Sequence, residues 1–157
     1  MPEPMHYLKA VRRAVTAALT DAAIEIPVGS APRAVTILTN PPAPGYAPQE
    51  SLPAIFVYCR SDQVAPDAMT TLRSAVLVDV VLQSYGNDDE ALDHVDDMHL
   101  AAHLAIMADR RLGGVAVNTM PRGSDTHSDS GEVRFAIRRA TFEVTVATPL
   151  ADPTVTF

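Results

Sequence analysis

A long alternation of apolar and polar residues runs through Leu72–Ser84 and predicts the central strand of a sheet. Read with a period of two, one face is almost wholly apolar, while the other mixes apolar residues with Arg73, Asp79 and Gln83. This pattern is typical of a strand with one face on a hydrophobic core, and its β-branched content agrees. The flanking segments must therefore supply its neighbouring strands and the helices that cover its apolar face.

Helical spacing of apolar residues predicts two amphipathic helices. The first spans Pro4–Ala23, with its charged residues opposite the apolar face. The second follows the central strand, with Asn87 as its N-cap, Glu90 completing a capping box, and Gly113 or Gly114 at its end. The residues predicted to form its buried stripe are Leu92, Val95, Met98, Ala102, Ala105 and Ile106.

Shorter apolar segments predict the remaining strands, namely Ile24–Val28, Arg33–Thr39, Ala54–Arg60 and Val115–Met120. A closing strand is predicted over Glu132–Thr148. Its apolar residues occupy odd positions before Arg138-Arg139 and even positions after it, and this change of phase predicts a bulge or bend at that point.

Polar or proline-rich segments separate these elements. Residues 40–53 hold five prolines and predict a long surface loop. Ser61–Met69 and Pro121–Gly131 are predicted connections, the latter a protruding polar loop, and Leu150–Phe157 a loose tail. The order of elements predicts a single α+β domain over residues 1–157, in which a mainly antiparallel β-sheet packs against two α-helices.

Composition narrows the classes of function. A chain of 157 residues fits one domain, and its net charge of −7 argues against non-specific binding of DNA by a basic surface. A single cysteine, Cys59, excludes an internal disulfide and a cysteine-based zinc site, and its strand position favours a buried core thiol. The N-terminus shows no signal pattern and no apolar stretch has transmembrane length, so we expect a cytoplasmic chain.

Two groups of residues are candidates for metal binding or catalysis. Asp96, His99 and His103 share one face of the second helix, and the two histidines, four residues apart, could share a metal. A solvated polar face explains the same pattern. His127, with serines and aspartates beside it, is better explained as a hydrophilic hairpin tip than as a catalytic triad. The chain has no phosphate-binding glycine motif, so we expect no catalytic residue, metal or cofactor.

The order of these segments resembles that of the tail terminator proteins of long-tailed bacteriophages, the group that includes minor tail protein U. The segments that carry the resemblance are LKAVRRAVTAAL, LPAIFVYCRSDQ, TTLRSAVLVDVVLQSYG, DDEALDHVDDMHLAAHLAI, RLGGVAVNTMPRGSD and FAIRRATFEVTVATP. Together they cover roughly residues 5–149. The resemblance implies a virion protein that is not an enzyme, assembles in the host cytoplasm and closes into a hexameric ring. Such a ring caps the major tail tube protein, presents a surface to the head-completion proteins of the neck, and lets DNA pass through its lumen.

The two predicted loops and the charged strand ends are the candidate contacts with neighbouring subunits or the tube. These residues are Pro44, Tyr46, Gln49, Arg60, Asp62, Arg122, Asp125, Arg138 and Arg139. Ordinary surface charges would explain the charged members equally well. Two other functions stay open: a head-closure adaptor or tail-tube-like subunit, and a metal-dependent enzyme that uses Asp96, His99 and His103.

Overall fold

The computed structural model of the chain describes residues 4–40, 47–87, 89–129 and 134–155. Two α-helices pack on one face of a mainly antiparallel sheet, which confirms the predicted α+β class. In chain order the elements are β1 (Met5–His6), α1 (Tyr7–Asp21), β2 (Glu25–Val28), β3 (Ala31–Ala34), β4 (Thr36–Leu38), β5 (Ala54–Ala68), β6 (Thr71–Gly86), α2 (Glu90–Met107), β7 (Asn118–Ser128), β8 (Arg134–Pro149) and β9 (Thr154–Val155).

The five-stranded sheet has the order β4-β5-β6-β8-β7. All of its pairs are antiparallel except β4 with β5. The predicted central strand is confirmed as β6, which pairs with β5 on one side and with β8 on the other. Two small antiparallel pairs, β2 with β3 and β1 with β9, complete the fold.

The hydrophobic core lies between the sheet and the helices. The even positions of β6 from Ser74 to Ser84 are buried, and Val76, Val78 and Val80 are fully buried in one cluster with residues of both helices. Each fully buried aliphatic side chain contributes roughly 1.5–3 kcal/mol relative to an exposed one. The regular alternation of β6 therefore forms the centre of the core, as its sequence predicts.

The predicted connections Ser61–Met69 and Pro121–Gly131 are wrong for most of their length. Residues 61–68 continue β5, and Pro121–Ser128 belong to β7. Both segments are mostly exposed. Hydrogen bonds to the next strand hold these segments in the sheet, and neither face of them is buried. They therefore lack the alternation of apolar and polar residues that indicates a half-buried strand in a sequence.

The predicted bulge at Arg138-Arg139 is also wrong. The register between β8 and β6 runs without a break from Arg134 to Pro149. The even positions of β8 face the helices throughout, whereas Phe135 packs on the other side against a small cluster of Ala47, Leu52 and Ala54. A second apolar cluster, not a slip in register, therefore explains the change of phase.

The helix ends differ from prediction. The first helix begins at Tyr7 rather than Pro4. The second begins at Glu90, after Asp89, so Asn87 is not its N-cap, and it ends at Met107 rather than at a glycine. Beyond it, the carboxylate of Asp109 accepts hydrogen bonds from the backbone N–H groups of Arg111 and Gly113, which fixes the turn locally.

The predicted buried stripe of α2 is only partly right. Leu92 and Ala105 are half-buried, whereas Ala91 and His94 are buried. His94 is satisfied there, because its Nδ1 lies 2.9 Å from the Ser84 hydroxyl.

Three further segments refine the predictions. The strand expected over Arg33–Thr39 is divided between β3 and β4, which Val35 separates. The predicted loop over residues 40–53 contains one 3₁₀ turn at Gln49–Ser51, and its residues 41–46 lie outside the described part of the chain. The tail is less loose than predicted, because Thr154 and Val155 pair with β1.

Candidate assembly surface

The sheet face that points away from the helices, called the open face below, carries a cluster of polar side chains at its centre. Tyr58, Asp79 and Thr141 lie directly opposite one another on β5, β6 and β8. Arg60 joins them because it occupies a β-bulge between Cys59 and Ser61, the kind of irregularity that redirects a side chain.

Asp79 is the centre of this cluster and is fully buried. The Thr141 hydroxyl donates a 2.8 Å hydrogen bond to Asp79 Oδ1. The Nε atoms of Arg60 and Arg139 lie 3.4 and 3.8 Å from Asp79 Oδ2. Burial, and then the hydrogen bond to Asp79, raise the pKa of Tyr58. A buried carboxylate is tolerated here because two cations and two hydroxyls surround it.

Four of the predicted contact residues lie together on this face. Arg60 and Arg139 meet at Asp79, and Asp125 stands opposite Arg139 in the β7–β8 register. Arg122, in a bulge of β7, forms a two-pronged ion pair with Glu143 at 3.1 and 2.9 Å. This pairing raises the pKa of Arg122. A shallow groove of about 420 Å³ runs between Arg60 and the Arg122–Glu143 pair.

Two other predicted residues lie on the helix side and make contacts within the chain. Asp62 accepts a hydrogen bond from the hydroxyl of Tyr7 on α1. Burial, and then this bond, raise the pKa of Tyr7. Arg138 joins α2 to β7, since it lies 2.6 Å from Asp96 and donates a 2.8 Å bond to Thr126. These interactions connect the helices to the sheet within one chain.

The last predicted residues belong to the segment before β5. Gln49 is exposed at the mouth of a cavity of about 350 Å³, which Phe135, Ile137 and His127 also line. Pro44 and Tyr46 lie outside the described residues.

The three residues of the possible metal site make other contacts. The Arg138 guanidinium reaches both Asp96 and His99, at 2.6 and 3.4 Å. The His103 ring lies 6.0 Å from the Phe142 ring, measured between centroids. Burial, and then Arg138, lower the pKa of His99. Among the described residues no group of three potential ligands is placed to hold a metal ion. A cation fixed beside Asp96 and His99 disfavours a second cation there.

Cys59 is half-buried, with its thiol 3.5 Å from the Leu8 carbonyl oxygen. Burial raises its pKa from 9.0 to about 11. At pH 8 we therefore expect its modification by a thiol reagent to be about a hundredfold slower in the folded chain than in urea, because the thiolate is the reacting form. Equal rates in the two states would contradict this.

The same pKa shift affects stability. The unfolded chain releases this proton near pH 9 and the folded chain near pH 11. The unfolded state thus binds fewer protons in that interval, so the free energy of unfolding falls as pH rises from about 9 to about 11.

No helix among the described residues is long and apolar enough to cross a membrane. Comparison with known proteins found no matching family model and no matching curated protein.

Proposed function

We propose that this chain is a structural virion protein that caps the tail tube of a long-tailed phage. It would do so as a hexameric ring that ends tube growth and offers a surface to the head-completion proteins. The order of elements that resembles tail terminators supports this proposal, and so does the arrangement of the sheet.

The observation that carries the proposal is the state of the two sheet edges. Beyond Phe56, no described strand pairs with the outer side of β5, and none pairs with the outer side of β7. The strands β5, β6, β8 and β7 alternate in direction, so the two outer strands run in opposite directions. If neighbouring copies are related by a rotation about an axis parallel to the strands, β7 of one copy can therefore pair with β5 of the next in the antiparallel sense. A contact of this heterologous kind repeats until it closes a ring.

One end of the strands offers an apolar contact for another protein. Met69, in the turn between β5 and β6, is 95% exposed. Leu150 is 57% exposed, and its backbone N–H donates a hydrogen bond to the carbonyl oxygen of Thr70 in the same turn. Large exposed apolar side chains that lie together often mark protein interfaces. This end is the proposed contact with the tube, and the net charge of −7 supports passage of DNA without binding.

The alternative functions either have less support or can be distinguished from capping by experiment. A neck adaptor or a tail-tube-like subunit would use the same edges, but a tube subunit would polymerise into open stacks. The metal-dependent enzyme has little support, because Arg138 occupies the space beside Asp96 and His99.

The first test is the mass of the protein by light scattering after size exclusion over a concentration series, followed by electron microscopy with purified tail tubes. We expect a closed species of about six subunits that binds tube ends and stops their growth. Open stacks that lengthen with concentration would favour the tube subunit. A failure to bind tube ends, alone or as a ring, would overturn the proposed capping.

A further inference from the structure

The exposed side of α1 carries basic residues whose charges are not paired within the described part of the chain. Lys9 and Arg13 are exposed and Arg12 is half-buried, and none forms an ion pair with another described residue. Lys9 lies in the first turn, where the helix dipole disfavours a cation, and the first turn has no acid to compensate. Lys9 and Arg13 are also one turn apart, so they repel each other.

The exposed side of α2 has the opposite charge. Asp93 and Asp97 are exposed, one turn apart, and neither forms an ion pair with a described residue. Leu100 and Leu104 continue the same side of the helix and are exposed to 62% and 61%. Asp97 lies beyond the first turn of α2, so the helix dipole does not account for it.

The two helices lie over opposite halves of the sheet. α1 packs over β5, and the groove lined by Arg12 and Arg13 reaches Thr39 and Asn40, which follow the edge strand β4. α2 packs over β6 and β8, and Arg138 links its Asp96 to Thr126 of β7. When copies stand side by side in the order of the sheet, α2 of one copy comes next to α1 of the following copy.

We propose that the basic side of α1 (Lys9, Arg12, Arg13) binds the acidic and apolar side of α2 (Asp93, Asp97, Leu100, Leu104) in a second copy of this chain. The contact relieves the repulsion on both helices and covers the two leucines. The inference rests on the self-assembly in the proposed function and identifies the surfaces that meet, but it does not depend on a tail tube.

Directed cross-linking tests this contact even when assembly is weak. In a Cys59→Ser background, Arg13→Cys and Asp97→Cys are made in separate chains, mixed and oxidised. We expect the mixed disulfide dimer in several-fold excess over either homodimer, and loss of that excess in 1 M salt, where charge attraction is screened. Arg33→Cys, exposed on β3, is the matched control partner. Equal yields for all pairs would overturn the proposal.

Charge exchange provides a second test with its own rescue. We expect Lys9→Glu with Arg13→Glu to prevent assembly, and Asp93→Lys with Asp97→Lys to do the same. A 1:1 mixture of the two double variants should restore it, because each contact then joins opposite charges. A mixture that stays unassembled while wild type assembles would overturn the contact. Normal cross-linking and rescue without tube capping would instead count against the proposed function alone.

Discussion

A chain carrying Phe142→Ala is expected to lose about 3–5 kcal/mol of unfolding free energy, the largest effect we expect of any single substitution. Phe142 is exposed to 1% and is among the largest fully buried side chains of the core. It lies on β8 opposite Val78 of the central strand, and its ring meets His103 of α2. Removing the ring leaves a cavity between sheet and helix that neighbouring side chains fill only in part.

Urea unfolding followed by circular dichroism measures this loss. Thr145→Ala, on the same strand but half-buried and on the open face, is the matched control. We expect it to cost less than about 1 kcal/mol. If the two variants unfold at the same urea concentration, the placement of Phe142 at the centre of the core is wrong.

Asp79→Ala is expected to cost about 1–3 kcal/mol. The substitution removes the acceptor of the Thr141 hydroxyl and leaves Arg60 and Arg139 side by side without their carboxylate. The cost is smaller than for a wholly buried pair, because the arginine side chains are 44% and 43% exposed and regain water.

A matched surface pair provides the comparison. Asp67 and Arg73 form a 3.1 Å ion pair in which both side chains are exposed, to 40% and 49%, so Asp67→Ala should cost less than about 1 kcal/mol. In addition, Arg60→Ala should cost less in the Asp79→Ala background than in the wild type, since the partner is already gone. Equal costs for Asp79→Ala and Asp67→Ala, or no coupling between Asp79 and Arg60, would contradict the role given to the cluster.

The parts of the fold that are buried against the core could be predicted from the sequence. Apolar residues recur at every second position in β6 and at helical spacing in α2. Both patterns are long enough to predict that the element exists and approximately where it begins and ends. The outer half of β5 and most of β7 could not be predicted in this way. Their strand character comes from hydrogen bonds to one neighbour, and both of their faces are largely exposed, so no apolar period records it.

The candidate surface shows a similar division. The sequence predicts Arg60 and Arg139 as charged contact residues, but their meeting at Asp79 depends on the register of three strands, which no local pattern contains. One signal was present: Asp79 interrupts a run of valines in the middle of the predicted central strand. A charge at such a position needs a partner in the folded chain, and the arginines of the adjacent strands supply it.

The order of strands in the sheet also determines the order in which strand pairs can form during synthesis and folding. β6 is adjacent along the chain to β5, but its other neighbour, β8, is synthesised only after α2 and β7. Closing that long separation has an entropic cost before any pairing offsets it, so the β6–β8 pairing is expected to be a late and slow step of folding. Among the described strands, β7 pairs with β8 alone, so its place in the sheet depends on β8. A growing chain therefore lacks one of the two edges that the proposed ring requires, and subunits become competent to associate only after β8 has been synthesised.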